Sequence, residues 1–306
     1  MSFPFEVTIL GSSAAVPTLE RNQTALIVRF HNELLLFDAG EGVQKRLMEC
    51  HLKPSKITRI FISHLHSDHF IGLIGLVNSF ALQGRKNKLS IYATKELEHI
   101  IDIQLKAGNA FLSYPIEFHA LEKTEFHTIC ESKMYSVSAF PVDHRIPCFG
   151  FLLKEKQENP TIVSNKIKDK NFPIEAFKSW KKREDFTDEN GQLHAWGDYT
   201  EEAQNLRSFA FVTDTRPLPA LERFLSKCNL MYHESTFLHE KKELAIKTNH
   251  STSIEAAEMA KLYAVNKLIL GHFSSRYHDT DVLLHEARTI FAATFLGTEG
   301  VTFQVN

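Results

Sequence analysis

Short apolar runs rich in β-branched residues recur along the chain, bounded by glycine or by turn-forming residues. This pattern is typical of buried strands, and it occurs at residues 5–11 (FEVTILG), 24–30 (TALIVRF) and 33–40 (ELLLFDAG). The same pattern predicts strands at residues 56–64, 89–94, 135–144, 148–155, 208–215, 230–236 and 267–272. Apolar residues at helical spacing predict helices at residues 41–51, 70–82, 95–108, 217–227 and 252–264.

Strands and helices therefore alternate, but several neighbouring strands are joined by short links. This combination predicts an α/β fold, with a mixed sheet or two sheets covered by helices. The 306 residues, of which 43% are hydrophobic, can form one large core. We therefore expect a single domain over residues 1–306.

Residues 155–205 differ from the rest because they are polar and lack a periodic apolar pattern. Residues 166–183 hold seven Lys and Arg, whereas residues 184–202 hold seven carboxylates. The basic half also contains Phe172, Phe177 and Trp180, and aromatic rings among lysines are typical of surfaces that bind nucleic acid. We expect an inserted arm that faces nucleic acid; a solvated loop with ordinary charges is the alternative.

Composition limits the location and the partners of the protein. The formal net charge is −2, so any contact with nucleic acid must use a local basic patch. The four cysteines form no CxxC pair, which favours reduced thiols in the cytosol. The N-terminus lacks the features of a signal peptide, and no apolar stretch reaches the ~18 residues of a membrane span. We expect a cytoplasmic protein that makes no membrane contact.

Four metal-competent side chains lie within six positions in SHLHSDH, between a predicted strand and a predicted helix. They are His64, His66, Asp68 and His69. Histidine nitrogen and carboxylate oxygen are ligands that zinc takes, and imidazole also suits iron, copper and nickel. A single histidine here would be read as a core residue, but four candidates together predict a metal site.

Three more candidates stand where later apolar runs give way to loops, which is where α/β folds place their ligands. FPVDH ends in His144, FVTDT carries Asp214, and LILGH ends in His272. Each alone would be read as a turn aspartate or a core histidine. With the first cluster they form a set large enough for two metals.

The HxHxDH motif and these three later residues resemble the metallo-β-lactamase superfamily. Four further segments are similar to the ribonuclease Z family of tRNA 3′-processing endonucleases. They are LGSSAAVPTLERN (10–22), which resembles the family's glycine turn and PxKxRN loop; HESTF (233–237), its HEAT loop; HSTSIEAAEMA (250–260), its HST loop; and HFSSRY (272–277), its final motif.

The resemblance implies an αββα sandwich of two mixed sheets flanked by helices, with residues 155–205 as a tRNA-binding arm. It also implies two Zn²⁺ per subunit, which Mn²⁺ or Fe²⁺ could replace. One zinc would be held by His64, His66 and His144, the other by Asp68, His69 and His272, with Asp214 between them. The substrate would be precursor tRNA, cut to leave a 3′-hydroxyl on the tRNA and a 5′-phosphate on the trailer. Members of the family generally act as homodimers.

Further residues receive roles from the same resemblance. Asp68 would also be the general base, His250 the proton donor to the leaving oxygen, and Glu234 the residue that orients His250. Thr252 and Glu255 form a T-x-x-E capping box, which predicts a helix that starts just after His250. Arg276 is expected to contact a phosphate.

The PxKxRN-like loop departs from the family at one position. Pro17, Arg21 and Asn22 are present, but Leu19 stands where the family has lysine. This loop is associated in the family with sensing the tRNA 3′ end. The departure leaves open whether precursors that carry CCA are refused.

Two other functions compete with tRNA processing. A small or cyclic phosphodiesterase, a thioesterase or a lactonase could use the same metal ligands, although such an enzyme needs neither a basic arm nor the HST histidine. An RNA-binding module that has lost catalysis would usually lack at least one ligand. Every expected ligand position is filled here.

Overall fold

Two seven-stranded sheets are stacked on each other and carry helices on their outer faces. The computed structural model describes residues 3–122, 125–156, 159–168, 170–202 and 206–306. Its strands are Phe5–Gly11 (β1), Ser13–Ala14 (β2), Ala25–Phe30 (β3), Glu33–Phe37 (β4), Ile57–Phe61 (β5), Leu89–Ala93 (β6), Ile116–Ala120 (β7), His127–Glu131 (β8), Tyr135–Pro141 (β9), Phe149–Glu155 (β10), Thr161–Ile162 (β11), Phe186–Thr187 (β12), Leu193–His194 (β13), Thr200–Glu201 (β14), Ser208–Val212 (β15), Leu230–Glu234 (β16), Lys267–Gly271 (β17), Phe273–Ser274 (β18), Thr294–Leu296 (β19) and Thr302–Gln304 (β20).

The α-helices connect and cover these strands. They are Val43–Glu49 (α1), Ser67–Leu82 (α2), Glu96–Ala107 (α3), Ser164–Ile167 (α4), Ile174–Lys181 (α5), Trp196–Tyr199 (α6), Glu222–Leu225 (α7), Lys242–Thr248 (α8), Ser253–Leu262 (α9) and Asp281–Arg288 (α10). Short 3-10 turns occur at Pro54–Lys56, Pro219–Leu221 and His239–Lys241. Within the described residues, every helix is too short or too polar to cross a lipid bilayer.

Both large sheets are mixed. The first has the order β20-β1-β3-β4-β5-β6-β7, antiparallel from β20 to β4 and parallel from β4 to β7. The second has the order β19-β17-β16-β15-β10-β9-β8, parallel from β19 to β15 and antiparallel from β15 to β8. The prediction of an α/β fold with two mixed sheets is confirmed.

Aromatic side chains fill the space between the sheets. Phe37 and Phe61 of the first sheet pack on Phe151, Phe209 and Phe211 of the second. The outer face of the first sheet is covered by α1, α2 and α3, and that of the second by α7, α9 and α10. Because each sheet is buried on both faces, its central strands are nearly continuous apolar runs. This is the expected αββα sandwich.

Helix α2 lies unusually close to the turn that follows β4. The Gly72 amide donates to the Ala39 carbonyl oxygen at 2.9 Å. A Cβ atom on Gly72 would lie 2.1 Å from the Gly40 carbonyl oxygen, and one on Gly40 would lie 2.6 Å from the Asp68 carbonyl oxygen. Glycine is therefore required at both positions. The close approach brings the first turn of α2 over the end of β4.

The insert between β10 and β15 has a small core of its own. Trp180 is fully buried, stacks on Tyr199 with ring centroids 4.4 Å apart, and packs edge-on against Phe172 at 4.8 Å. No described residue of the insert belongs to the three apolar clusters of the two sheets. The expectation that Trp180 faces nucleic acid is wrong, because its ring fills this core. Residues 157–158, 169 and 203–205 of the predicted arm lie outside the described residues.

Candidate metal centre

The seven predicted ligands come together where strands of both sheets end. His64 and His66 follow β5, Asp68 and His69 lie in the first turn of α2, and His144, Asp214 and His272 follow β9, β15 and β17. Asp214 and His272 have positive φ values of 46° and 56°. A positive φ is unfavourable for residues other than glycine, and it persists only where the surrounding structure holds the residue in place.

The first group of ligand atoms surrounds the His66 ring. His66 Nδ1 lies 2.9 Å from His64 Nε2 and 3.2 Å from His144 Nε2. Asp214 Oδ1 lies 3.8 Å from His64 Nε2 and 4.0 Å from His144 Nε2. Ligands of a tetrahedral zinc, each about 2.0–2.1 Å from the metal, stand about 3.3 Å from one another. Burial lowers the pKa of all three histidines, which favours the neutral imidazole that a metal needs.

The second group surrounds the Asp68 carboxylate. Asp68 Oδ2 lies 3.4 Å from His69 Nε2 and 3.6 Å from His272 Nε2. Burial alone would raise the pKa of Asp68, but His69 and His272 hold it well below its ordinary value. The carboxylate is therefore ionised, as both a ligand and a proton acceptor must be.

Asp214 belongs to both groups because its two oxygens face opposite ways. Oδ1 faces His64 and His144, whereas Oδ2 lies 3.2 Å from His69 Nε2 and 3.3 Å from His272 Nε2. This is the arrangement of a carboxylate that bridges two metals.

The donor set fits divalent metal ions. His69 Nε2 and His272 Nε2 are buried, and neither has a hydrogen-bond partner among the described residues. Burying a polar nitrogen without a partner costs free energy of folding unless another group or an ion binds it. Burial lowers the pKa of His69, but Asp214, Asp68 and Asp38 outweigh it and raise that pKa well above its ordinary value. The negative field that attracts a proton there equally attracts a cation.

Asp38 supports the centre, although the sequence alone did not identify it. Its Oδ2 accepts from His69 Nδ1 at 2.6 Å and from the Ser63 hydroxyl at 2.8 Å, and its Oδ1 accepts from the Ser63 amide at 2.7 Å. The bond to Nδ1 leaves His69 Nε2 for a metal. The only sign of this role in the sequence is a carboxylate directly after β4, in FDAG. The contact with residue 69 arises only when α2 packs on the sheet.

Glu234 connects three parts of the site. Its Oε1 accepts from the Thr215 amide at 2.6 Å and lies 3.0 Å from His250 Nδ1. Its Oε2 accepts at 2.6 Å from the Thr236 hydroxyl, whose oxygen is 2.9 Å from His272 Nδ1. Burial disfavours the charged imidazole, but Glu234 raises the pKa of His250 to about 9. Glu234 thus favours the protonated form of His250, which a proton donor requires.

A cleft of about 480 Å³ opens over these groups. His66, Asp68, Asp214, His250 and His272 line its floor. Arg276 lies in its wall, where its Nε donates to the Ser274 hydroxyl at 2.9 Å and its guanidinium stands over the Phe237 ring. Arg145, next to His144 in sequence, lines the same cleft and was also missed. Both arginines are exposed and can meet a phosphate.

The loop that resembles PxKxRN borders the cleft through its backbone. The Ala15 amide donates to Asp68 Oδ2 at 2.8 Å. Arg21 and Asn22 are occupied within the protein, because Arg21 donates to the Ser274 carbonyl oxygen at 3.3 Å and the Asn22 amide to Glu299 at 2.6 Å. Pro17 is exposed, and Leu19 is fully exposed at the tip. The tip is therefore the part that can meet a substrate.

Several known proteins are similar to this chain in sequence or in structure. A family model described as the anti-Pycsar protein Apyc1 matches residues 5–185. A ribonuclease Z from Cytophaga hutchinsonii is 41% identical over 303 residues, covering 99% of this chain and 96% of that protein. The chain belongs to the ribonuclease Z family. The crystal structure of human tRNase Z, short form (ELAC1), superposes with a TM-score of 0.75 at 26% identity, covering 98% of this chain and 99% of that one.

The Apyc1 match covers more than half of the chain, so the chain belongs to that family too. The match ends before Asp214, His250 and His272, whereas the similarity to the Cytophaga hutchinsonii ribonuclease Z covers 99% of this chain. The metallo-β-lactamase-fold protein YhfI from Bacillus subtilis superposes with a TM-score of 0.69 at 16% identity, covering 98% of this chain and 99% of that one. This likeness identifies the fold as a metallo-β-lactamase fold.

Proposed function

We propose that this ribonuclease Z family member is the endoribonuclease that removes the 3′ trailer from precursor tRNA. The observation that carries the proposal is the pairing of two ligand groups joined by Asp214 with His250 beside them, held by Glu234. A hydrolase of small substrates needs the two ligand groups but has less use for a separate proton donor. The chain is a metal-dependent hydrolase by its family and its ligands.

Each residue of the site has a separate role in the proposed reaction. Divalent metals bound to the two groups would activate a water molecule and stabilise negative charge on the scissile phosphate. Asp68 accepts the proton of the attacking water. As the bond from phosphorus to the tRNA 3′ oxygen breaks, His250 donates a proton to that oxygen, and Arg276 contacts the phosphate. The tRNA keeps a 3′-hydroxyl and the trailer a 5′-phosphate.

We propose zinc for both positions. Five histidines and two carboxylates are a nitrogen-rich set of the kind zinc takes, and Mn²⁺ or Fe²⁺ also accept these ligands. His64, His66 and His144 would hold one ion, Asp68, His69 and His272 the other, and Asp214 would bind both.

We also propose that the chain is one domain in which residues 155–205 form an arm for tRNA. Lys166, Lys168, Lys170, Lys178 and Lys181 are all exposed on this segment. The compact aromatic core of the insert would hold these lysines in a fixed arrangement, and phosphates are the groups that such lysines bind.

The protein is expected to sediment as a homodimer, at about twice its mass of 35.0 kDa. Leu82 and Phe111 are 89% and 83% exposed, and the Ser113 hydroxyl donates to the Ala81 carbonyl oxygen, so the two apolar side chains lie on neighbouring segments. Exposed apolar side chains on neighbouring segments are where we expect the subunit interface. Leu82→Lys with Phe111→Asp should shift sedimentation to the monomer, whereas Met48→Lys, at another exposed apolar site, should not. A dimer that survives the double substitution would contradict this placement.

Cleavage of a labelled precursor tRNA tests the function. The metal-loaded protein should cut a precursor without encoded CCA directly after the discriminator base. Because Leu19 has no charge to contact the tRNA end, we expect it to cut a CCA-bearing precursor equally well. Leu19→Lys, which restores the lysine of the loop that this segment resembles, should lower kcat/KM on the CCA-bearing precursor roughly tenfold, about 1.4 kcal/mol, and leave the other precursor unaffected.

Two other results would point elsewhere. If the wild-type protein with two metals cleaves neither precursor but hydrolyses a simple phosphodiester, the protein is a small-substrate hydrolase. If it refuses the CCA-bearing precursor despite Leu19, another residue of the loop carries the discrimination.

A further inference from the structure

Arg216 joins the loop that carries the bridging aspartate to the loop that carries the proton donor. It stands two residues after Asp214, and its side chain is largely buried, with 16% exposed. The backbone amide of Arg216 donates to the Asp143 carbonyl oxygen at 3.2 Å, next to the ligand His144. Its guanidinium reaches in the other direction, towards residues 250–255.

The guanidinium makes contacts of two kinds there. One nitrogen, Nη1, donates to the His250 carbonyl oxygen and to Glu255 Oε2, the latter at 3.0 Å. The other, Nη2, donates to Glu255 Oε1. A bidentate pair between arginine and carboxylate fixes both groups in angle as well as in distance. Arg216 therefore holds the backbone of His250 against the start of α9.

Glu255 is itself fixed by the capping box that the sequence predicted. Its Oε2 accepts from the Thr252 amide at 2.9 Å, and the Thr252 hydroxyl accepts from the Glu255 amide at 3.2 Å. Burial alone would raise the pKa of Glu255, but Arg216 and the Thr252 amide keep it below its ordinary value. The lowered pKa favours the ionised carboxylate, which is the form that pairs with the guanidinium.

The ring and the backbone carbonyl group of His250 are consequently held by different residues. Glu234 fixes the ring through Nδ1 at 3.0 Å, and Arg216 fixes the carbonyl group. The other ring nitrogen, Nε2, takes no part in these two contacts, and the His250 ring lines the cleft. A donor displaced by even 1 Å loses much of its effect on a proton transfer.

We propose that Arg216 is a positioning residue that keeps His250 in line with the leaving oxygen of the substrate. The proposal rests on the proposed function of His250. In that step the bond between phosphorus and the tRNA 3′ oxygen breaks, the oxygen takes the electron pair, and the proton of His250 neutralises it. Arg216 does not touch the substrate; it acts through the orientation of His250.

A change of leaving group separates this role from a general structural one. The 3′ oxygen of tRNA is a poor leaving group and needs a proton, whereas p-nitrophenolate leaves bis(p-nitrophenyl) phosphate without one. Arg216→Met should lower kcat for precursor tRNA roughly 30-fold, which is less than the factor of about 10²–10⁴ that a general acid contributes, because His250 would be misplaced and not removed. It should lower kcat for bis(p-nitrophenyl) phosphate less than about threefold, with KM and metal content unchanged. Arg216→Lys, which keeps the charge, should recover part of the loss.

Arg59→Met is the matched control, since Arg59 also forms a half-buried ion pair, with Glu33 at 2.7 Å, outside the site. It should change the melting temperature without changing the ratio of the two activities. Equal loss on both substrates, or no loss on precursor tRNA, would overturn the role of Arg216. If Arg216→Met does not fold, the same ratio in Arg216→Lys decides. Failure of the wild-type protein to cut precursor tRNA would instead refute the proposed function itself.

Discussion

Asp214→Ala is expected to remove both metals and to abolish hydrolysis of every phosphodiester substrate. The residue contributes Oδ1 to the group of His64 and His144, and Oδ2 to the group of His69 and His272. No other residue among those described belongs to both of these ligand groups. The loss of Asp214 should therefore weaken metal binding by both ligand groups, whereas His144→Ala should weaken metal binding by only one of them.

The magnitude follows from what metals supply. Charge stabilisation by a bound metal amounts to several kcal/mol, so kcat/KM should fall by more than about 10³-fold. Metal content by inductively coupled plasma mass spectrometry should drop from the proposed two zinc ions per chain towards zero. A circular dichroism spectrum like that of the wild-type protein would show that the sandwich persists.

Asp143→Ala provides the control for this experiment. Asp143 is an exposed aspartate beside the ligand His144, and its side chain accepts only from Asn249, at 3.4 Å, among the contacts of the described residues. It should retain two metals and near-normal activity. Two tightly held metals in Asp214→Ala, with activity intact, would show that the aspartate is not a bridge.

The sequence predicted the central strands well and missed the outermost ones. Among the strands of the two large sheets, those that went unpredicted are β7, β8, β19 and β20, which are the four edges. An edge strand has one neighbour and more solvent contact, so its apolar pattern is weak; β7 is half exposed along its whole length. β20 pairs with β1 near the opposite end of the chain, for example residue 302 with residue 8. A pairing between segments so far apart in sequence leaves no local pattern from which the strand could be predicted.

The ligands could be found from the sequence because each directly follows an apolar run or opens a helix. The residues that orient them could not. Asp38, Thr236 and Arg216 lie at or near the ends of predicted strands, where their residue types do not reveal what they contact, and their roles arise from partners 31, 36 and 39 positions away: His69, His272 and Glu255. Only the packing of α2 and α9 on the sheets brings these partners into contact.

The insert shows the opposite difficulty. Its basic and aromatic composition suggested a surface on which bases stack, but composition does not reveal which side chains are buried. Trp180 donates its Nε1–H to the His194 carbonyl oxygen at 3.2 Å inside the insert. The lysines around it remain exposed. If this segment binds tRNA, it does so mainly through charge, and that has a measurable consequence.

Replacing residues 157–205 with a short glycine-containing turn is expected to separate tRNA binding from catalysis. The Glu155 amide donates to the Arg207 carbonyl oxygen at 2.9 Å, and their side chains form an ion pair at 2.6 Å, so β10 and β15 can be joined as a hairpin. Since the insert adds nothing to the main apolar clusters, the shortened protein should fold and hydrolyse bis(p-nitrophenyl) phosphate normally. The KM for precursor tRNA should rise roughly 100-fold, about 2.7 kcal/mol of binding.

The salt dependence identifies the cause of that loss. Each phosphate contact removed should reduce the slope of log KM against log salt concentration by about 0.9. Lys178→Ala with Lys181→Ala should reproduce part of both effects. Lys45→Ala with Lys106→Ala, at sites 77% and 74% exposed on α1 and α3, should reproduce neither. A shortened protein with the KM and salt slope of the full chain would mean that the tRNA is bound elsewhere, and the lysines of α5 would then serve only solubility.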